Sequence, residues 1–130
     1  MVGIAQGYAG TGKNPIAAYE PELVRALEGK HVSRGYAGYW DAQNLSWQSG
    51  MRLVIAPVAL CKQGVCGSDF ATIRSWYEPR PGPSFLIVDP TTPFMSHAPT
   101  FVREATQRLS LGPLRVYLFK TDIAARIHPP

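Results

Sequence analysis

The sequence predicts a small α/β domain of three layers, with helices flanking a mainly parallel sheet and an antiparallel hairpin at its C-terminal edge. Short apolar runs alternate with amphipathic stretches along the chain, as in repeated strand–helix units. Short links join them, which is typical of such α/β units. The chain has 130 residues, 45% of them hydrophobic, enough to bury one core. We expect a flexible lead-in over residues 1–19 and a single domain over 20–130.

The first half of the domain predicts a helix, a strand and a second helix. Pro21 suits a first helical turn and Gly29 suits a helix end, so we expect a helix over 21–29. Residues 32–37 form a short segment that contains a β-branched and an aromatic residue, as is typical of a strand. A Gly-Tyr-Trp-Asp turn then leads into a helix over residues 42–48.

The second half predicts two buried strands followed by a hairpin. The apolar runs at 52–58 and 85–88 are typical of strands covered on both faces. The remaining predicted elements are a looser helix at 69–77, an exposed loop at 90–99, a short helical piece at 99–105, hairpin strands at 106–109 and 114–119, and a last turn at 122–127.

Charge and hydropathy exclude several classes of function. The net charge is +4, yet Lys and Arg are spread evenly and form no basic patch, so we expect no nucleic-acid partner. The longest apolar run, Leu53 to Cys61, contains Pro57 and is about half the length of a membrane-spanning helix. Residues 1–14 lack the basic start and apolar centre of a signal peptide.

A glycine-rich stretch at residues 7–14 comes within one residue of a phosphate-binding loop. Asn14 stands where a Ser or Thr hydroxyl would reach magnesium, and Pro15 follows at once. A phosphate-binding loop follows a buried strand and opens a helix, and with only six residues before Gly7 we expect no such strand here. We interpret it as a chance match.

The segment Gly-Tyr-Ala-Gly-Tyr-Trp-Asp at 35–41 is the first candidate binding site. Aromatic rings beside a carboxylate at a strand-to-helix turn can stack on a sugar and accept its hydroxyl hydrogen bonds. Asp89 ends the strand at 85–88, a position that faces a crevice in open sheets. The candidate ligand-binding residues are Tyr36, Tyr39, Trp40, Asp41 and Asp89.

A structural role is the favoured alternative for these residues. Tyr and Trp are bulky core residues with a polar edge, and Asp41 suits a helix cap. Trp47, Trp76 and Tyr77 are likewise expected to pack in the core.

No catalytic or metal site follows from the spacing of titratable residues. The three histidines, His31, His97 and His128, are isolated in the chain and suggest no ligand set or proton relay. Asp89, Glu104 and Asp122 can meet only through the tertiary fold. We therefore assign no catalytic residue, no metal and no cofactor.

Cys61 and Cys66 flank a four-residue connection that contains a glycine. This spacing suits a tight loop closed by a disulfide, and two reduced thiols near a core strand suit it equally well. It fits neither a zinc site nor a thioredoxin-like redox motif.

Several motifs, in order, resemble the soluble tail of bacterial GT-C type membrane glycosyltransferases of the dolichyl-phosphate-mannose protein mannosyltransferase-like class. The resemblance spans about residues 20–127. Its motifs are Val32 to Gly50, Arg52 to Val58, Ser75-Trp-Tyr-Glu78, Ser84 to Asp89 and Leu114 to Ile123.

The resemblance implies a place outside the cytoplasm for this domain. In such proteins a membrane portion binds the polyprenyl-phosphate sugar and carries the catalytic carboxylates, and the tail lies on the extracytoplasmic face of the bacterial cell membrane. The implied partners are the membrane portion of the same polypeptide and a glycan or acceptor protein. That location would permit a disulfide between Cys61 and Cys66.

The leading hypothesis is a non-catalytic extracytoplasmic accessory domain of a membrane glycosyltransferase-like protein. The alternative is a free-standing small-ligand or nucleotide-binding α/β protein, and the two differ in whether membrane helices precede residue 1 in the natural gene. A third class, a small cytosolic enzyme, requires turnover by the isolated chain.

Overall fold

Two α-helices and seven strands form the fold in the computed structural model, which describes residues 17–68 and 74–129. The helices are α1 (Glu20–Gly29) and α2 (Tyr39–Gln48). The strands are β1 (Arg34–Ala37), β2 (Val54–Cys61), β3 (Gly64–Gly67), β4 (Ser84–Val88), β5 (Gln107–Leu111), β6 (Leu114–Phe119) and β7 (Ile127–His128). Short 3-10 turns occupy Ala17–Tyr19, Arg74–Tyr77, Thr100–Glu104 and Ile123–Arg126.

All seven strands lie in one mixed sheet, in the order β5-β6-β4-β1-β2-β3-β7. At its centre β1 pairs in parallel with both β2 and β4. The pairs β2–β3, β4–β6 and β5–β6 are antiparallel, and β3–β7 is parallel. The α/β class is therefore confirmed, whereas the expected parallel pairing holds at the centre and does not dominate the sheet.

Alternate residues of the central strands belong to two hydrophobic clusters, one on each face of the sheet. In β4, Phe85 and Ile87 join the cluster that also contains side chains of α1 and α2, whereas Leu86 and Val88 join the other. Because all four side chains are buried, β4 is covered on both faces. This burial explains why its sequence is a continuous apolar run.

The two faces of the sheet have different covers. Helices α1 and α2 cover one face and pack against it with buried residues such as Leu23, Leu27 and Leu45. The other face is covered in the described residues by 3-10 turns and loops, which contribute Tyr77 and Met95. Of the predicted helix at 69–77, residues 74–77 form a 3-10 turn, and 69–73 lie outside the described residues.

Most predicted elements are found close to their expected bounds, with local exceptions. The first helix and the C-terminal hairpin are confirmed. Strand β3 was not expected, because a four-residue strand has little sequence signal until it pairs with β2. No helix among residues 17–68 and 74–129 is long and apolar enough to cross a membrane.

The described chain begins three residues before α1. Residues 1–16, including the glycine-rich stretch at 7–14, lie outside the described residues. Tyr19, which the sequence assigns to the lead-in, packs against the helix-side cluster. Its ring lies over Gly112, where an added Cβ would come within 2.2 Å of it.

Candidate functional site

The carboxyl ends of β1 and β4 form the part of the sheet where open α/β folds bind ligands. These two strands are parallel neighbours. After β1 the chain proceeds through α2 to β2 on one side, and after β4 it proceeds to β5 and β6 on the other side. Ligands of open sheets bind where successive connections diverge in this way. Asp41 and Asp89 lie just beyond these two strand ends.

Asp41 and Asp89 meet as a buried carboxyl pair. Their exposed fractions are 3% and 1%. The pKa of Asp41 is raised to about 9, first by burial, then by a hydrogen bond with Asp89 and by the negative charges of Asp89 and Glu20. Asp41 Oδ2 and Asp89 Oδ2 are both buried, and neither receives a hydrogen bond from a donor group among the described residues. This arrangement fits two carboxyls that share one proton.

Glu20 is a third buried carboxyl, which the sequence did not mark as a candidate. It begins α1 and is 3% exposed, and burial raises its pKa. Its Oε2 also has no hydrogen-bond partner within residues 17–68 and 74–129. In the same part of the chain, no group of three or more His, Cys, Asp or Glu side chains is arranged to hold a metal ion.

The loop that follows β4 closes the crevice above the carboxyl pair. The N–H of Asp89 donates to the carbonyl of Met95 at 2.9 Å, and Asp89 Oδ1 accepts from the N–H and hydroxyl of Thr91 at 2.9 and 2.5 Å. A Cβ on Gly38 would lie 3.0 Å from Cβ of Phe94. Met95 is fully buried, so the prediction of an exposed loop over 90–99 is wrong for its centre.

Tyr36 is separated from the other candidates, because it points to the opposite face of the sheet. It is fully buried in the cluster that lacks the α-helices. Its hydroxyl donates to Asp122 Oδ1 at 2.5 Å, and Arg34 Nε donates to Asp122 Oδ2 at 2.8 Å. Burial and then the hydrogen bond with Asp122 raise the pKa of Tyr36.

Asp122 is the centre of a structural network. Burial acts to raise its pKa, but hydrogen bonds from Tyr36, Ala124 and Arg80 and the charge of Arg34 together lower it. Arg34 also donates to the carbonyls of Trp76 at 2.6 Å and Glu78 at 3.0 Å. The network therefore ties β1 to two later segments of the chain.

The three carboxylates that the sequence left to the tertiary fold do not come together. Asp89 meets Asp41, and Asp122 binds Arg34. Glu104 pairs with Arg126 at the surface, at 2.6 Å.

Tyr39 and Trp40 lie together in the first turn of α2. Their ring centroids are 4.9 Å apart and the rings are nearly perpendicular, at 79°. The helix begins at Tyr39 with Gly38 as its N-cap, without a side-chain cap. The prediction that Asp41 caps the helix is therefore wrong, because the helix begins two residues before Asp41.

Four large hydrophobic side chains are exposed in the described part of the chain, and all lie between residues 40 and 54. They are Trp40 (58%), Trp47 (80%), Met51 (60%) and Val54 (40%). The prediction that Trp47 packs in the core is wrong. Helix α2 buries Asp41, Ala42 and Leu45, and Trp47 lies on the opposite side because it is five residues after Ala42.

We call the exposed side of this helix, formed by Trp40, Gln43, Asn44 and Trp47, the outer face of α2. It carries no charge, because Asp41 is the only Asp, Glu, Lys, Arg or His residue in the helix and its side chain is buried. A depression of about 120 Å³ borders Trp47, and its lining includes Met51, Val54 and Trp76. All three tryptophans of the chain are therefore in α2 or beside it.

Cys61 and Cys66 lie on the neighbouring strands β2 and β3. Their Sγ atoms are 2.06 Å apart, at disulfide-bonding distance. The pair joins the two strands next to the turn at residues 62 and 63.

Comparison of the chain with protein-family models, with curated proteins and with solved structures finds no match.

Proposed function

We propose that this chain is a non-catalytic accessory domain of a membrane glycosyltransferase-like protein, placed on the extracytoplasmic face of the bacterial membrane, where it contacts glycan. The observation that carries the proposal is the outer face of α2, where Trp40 and Trp47 are exposed on an uncharged surface. Apolar side chains that are exposed together in a patch mark interaction sites, whereas single exposed apolar side chains are common on protein surfaces.

The closed crevice supports a binding role rather than a catalytic one for the domain. General acids and bases must reach a substrate within hydrogen-bond distance. Asp41 and Asp89 are buried beneath the loop that contains Met95, so a substrate has no access to them in this conformation.

The cysteine pair and the resemblance support the extracytoplasmic location. Disulfides persist in oxidising compartments, and the antiparallel pairing of β2 with β3 brings Cys61 and Cys66 together, with their Cα atoms 5.9 Å apart. The longest motif of the resemblance, residues 32–50, covers β1 and α2 and so includes the outer face.

Cell fractionation tests this proposal. In cells that express the natural gene, an antibody against the chain should detect it in the membrane fraction after alkaline carbonate washing. Protease added to spheroplasts should degrade the epitope, while a cytoplasmic marker protein stays intact. Detection in the soluble fraction, or protection of the epitope until the cells are lysed, would contradict the proposal.

A free-standing small-ligand or nucleotide-binding protein is the second candidate. The carboxyl pair at the diverging ends of β1 and β4 favours it, because ligands bind there in open sheets. The loop at residues 90–95 would then have to move. A rise in melting temperature with ATP, GTP or a nucleotide sugar, lost in Asp89→Asn, would favour this candidate.

A further inference from the structure

Trp40 and Trp47 form a straight row on the outer face of α2. They are seven residues apart, almost two full helical turns, so they lie on one line of the helix about 10 Å apart along its axis. They are also the two most exposed aromatic side chains among the exposed large hydrophobic residues of the described chain, at 58% and 80%. The helix thus presents two indole surfaces in register.

The row is anchored to the domain. Ala42 and Leu45, on the opposite side of α2, are buried against the sheet. The ring of Tyr39 packs edge-to-face against Trp40, which restricts the indole. A surface that is ordered before binding loses less conformational entropy when a ligand arrives.

The side chains between the two indoles are amides. Gln43 and Asn44 lie between Trp40 and Trp47 on the outer face, and each amide offers both donors and acceptors. A pyranose ring has apolar C–H faces and a rim of hydroxyl groups. Indoles match the faces and amides match the rim, so the outer face has both chemistries that a neutral sugar needs.

Other occupants fit this surface less well. Anionic membranes and nucleic acids attract Lys and Arg, and the outer face has neither. The nearest cation in sequence, Arg52, is paired with Glu28. A stable protein interface buries about 800 Å² per partner, more area than a ridge of one ten-residue helix offers.

We infer that the outer face of α2 binds an extended, uncharged saccharide chain. Trp40 and Trp47 stack on sugar units about two positions apart, because their spacing of about 10 Å matches about two pyranose units. Gln43 and Asn44 hydrogen-bond the hydroxyls of the unit between them. This inference rests on the proposed function and gives the ligand class for its glycan contact.

Titration of the full 130-residue chain with cellohexaose and with α-1,6-mannohexaose tests the inference. Tryptophan fluorescence and calorimetry detect the binding. We expect weak binding of at least one of these chains, with an affinity that does not change with salt concentration, because the ligand is neutral. Trp40→Ala and Trp47→Ala should each weaken it about tenfold, by loss of one stacking surface.

Two matched comparisons separate stacking from general apolar contact. Trp47→Tyr should retain most of the affinity, whereas Trp47→Leu, which is apolar but cannot stack, should lose it. Met51→Ala removes a side chain of similar exposure, 60%, beyond the row and should leave binding unchanged. Circular dichroism and melting temperature should be the same for all variants, since both tryptophans are exposed.

Four results would overturn the inference: no binding of either neutral chain, tighter binding of hexagalacturonate, binding that survives Trp40→Ala/Trp47→Ala, or tryptophan-dependent sedimentation with phosphatidylglycerol vesicles in place of sugar binding. Each leaves the fractionation result untouched. A membrane-bound extracytoplasmic chain that binds no sugar would refute only this inference, and a sugar-binding soluble chain would refute only the proposed location.

Discussion

At the scale of single residues, Asp41 has the clearest consequence for stability. Its pKa is about 9 in the folded chain, against an ordinary value of 3.8. The folded state therefore keeps a proton that the unfolded state releases between these two pH values. A raised pKa contributes stability below the unfolded value, and that stability is lost as pH rises towards 9.

We predict that Asp41→Asn stabilises the protein above neutral pH. The amide is neutral at every pH and can donate to Asp89 as the protonated carboxyl does, so the gain at pH 8 should be about 1–3 kcal/mol. Urea unfolding from pH 5 to pH 9 measures it. Glu22→Gln, an exposed carboxyl in α1, is the control and should change little. Lower stability of Asp41→Asn at pH 8 would contradict the shared proton.

Gly35 is a second residue whose role depends on a close approach. It pairs with Phe85 across β1 and β4, and a Cβ at this position would come within 2.3 Å of the Phe85 ring. The ring occupies the space where every other amino acid has a side chain. Glycine is therefore required by packing here, and not by backbone conformation.

We predict that Gly35→Ala destabilises the chain by about 1–3 kcal/mol, as overpacked core substitutions do. Gly29→Ala is the matched control, because an added Cβ at the end of α1 meets nothing within 4 Å; it should be neutral or stabilising. Phe85→Leu should cost less in the Gly35→Ala background than in the natural chain. Equal melting temperatures for the two alanine variants would refute the packing argument.

At the scale of elements, the β2–β3 hairpin brings Cys61 and Cys66 together. Antiparallel pairing places the two strands side by side after a tight turn at residues 62 and 63, and the cysteines then lie with Cα atoms 5.9 Å apart. The hairpin also supports β7, which pairs with β3. Disorder in this hairpin would therefore also disrupt the pairing of β7 at the edge of the sheet.

We predict that the two cysteines are oxidised in the native protein. Thiol titration of unreduced, denatured material should give no free thiol, and two thiols per chain would count against both the bridge and the extracytoplasmic location. The bridge closes a short loop, so Cys61→Ser/Cys66→Ser should cost about 2 kcal/mol. Reductant should lower the stability of the natural chain to that of the double variant and leave the variant unchanged.

At the scale of the whole molecule, the pKa values of the buried carboxyls are shifted in opposite directions. Some of these groups therefore lower the stability of the fold as pH rises, and another lowers it as pH falls. The pKa values of Asp41 and Glu20 are raised, so stability falls as pH rises above their ordinary values of 3.8 and 4.5. The pKa of Asp122 is lowered, so its contribution is present above 3.8 and is lost in stronger acid.

We predict that stability is greatest in mildly acidic solution, near pH 4–5, below the range in which most proteins are most stable, about pH 5–8. Urea midpoints measured from pH 3 to pH 9 test this, and the acid limb should disappear in Asp122→Asn while the alkaline limb remains. A maximum at pH 7 or above would show that the Asp41 pair does not hold its proton.

The tertiary fold also determines which parts of the candidate site exist. Local pattern identified Asp41 and Asp89 as strand-end residues, but their contact depends on the order β4-β1-β2. Tyr36 and Trp40 are four residues apart, yet one is buried against Asp122 and the other is exposed. Trp47 was assigned to the core because tryptophan is usually buried, and only the packing of Ala42 and Leu45 directs it outward.

The sequence by itself determined the α/β class, the first helix, the buried central strands and the C-terminal hairpin, because these depend on local apolar period, glycine and proline. Only the tertiary structure decided that the sheet is mixed, that Asp41 and Asp89 share a closed crevice, and that the outer face of α2 is exposed. Those features depend on which strands become neighbours and which side of a helix meets the sheet, and contacts between distant segments determine both.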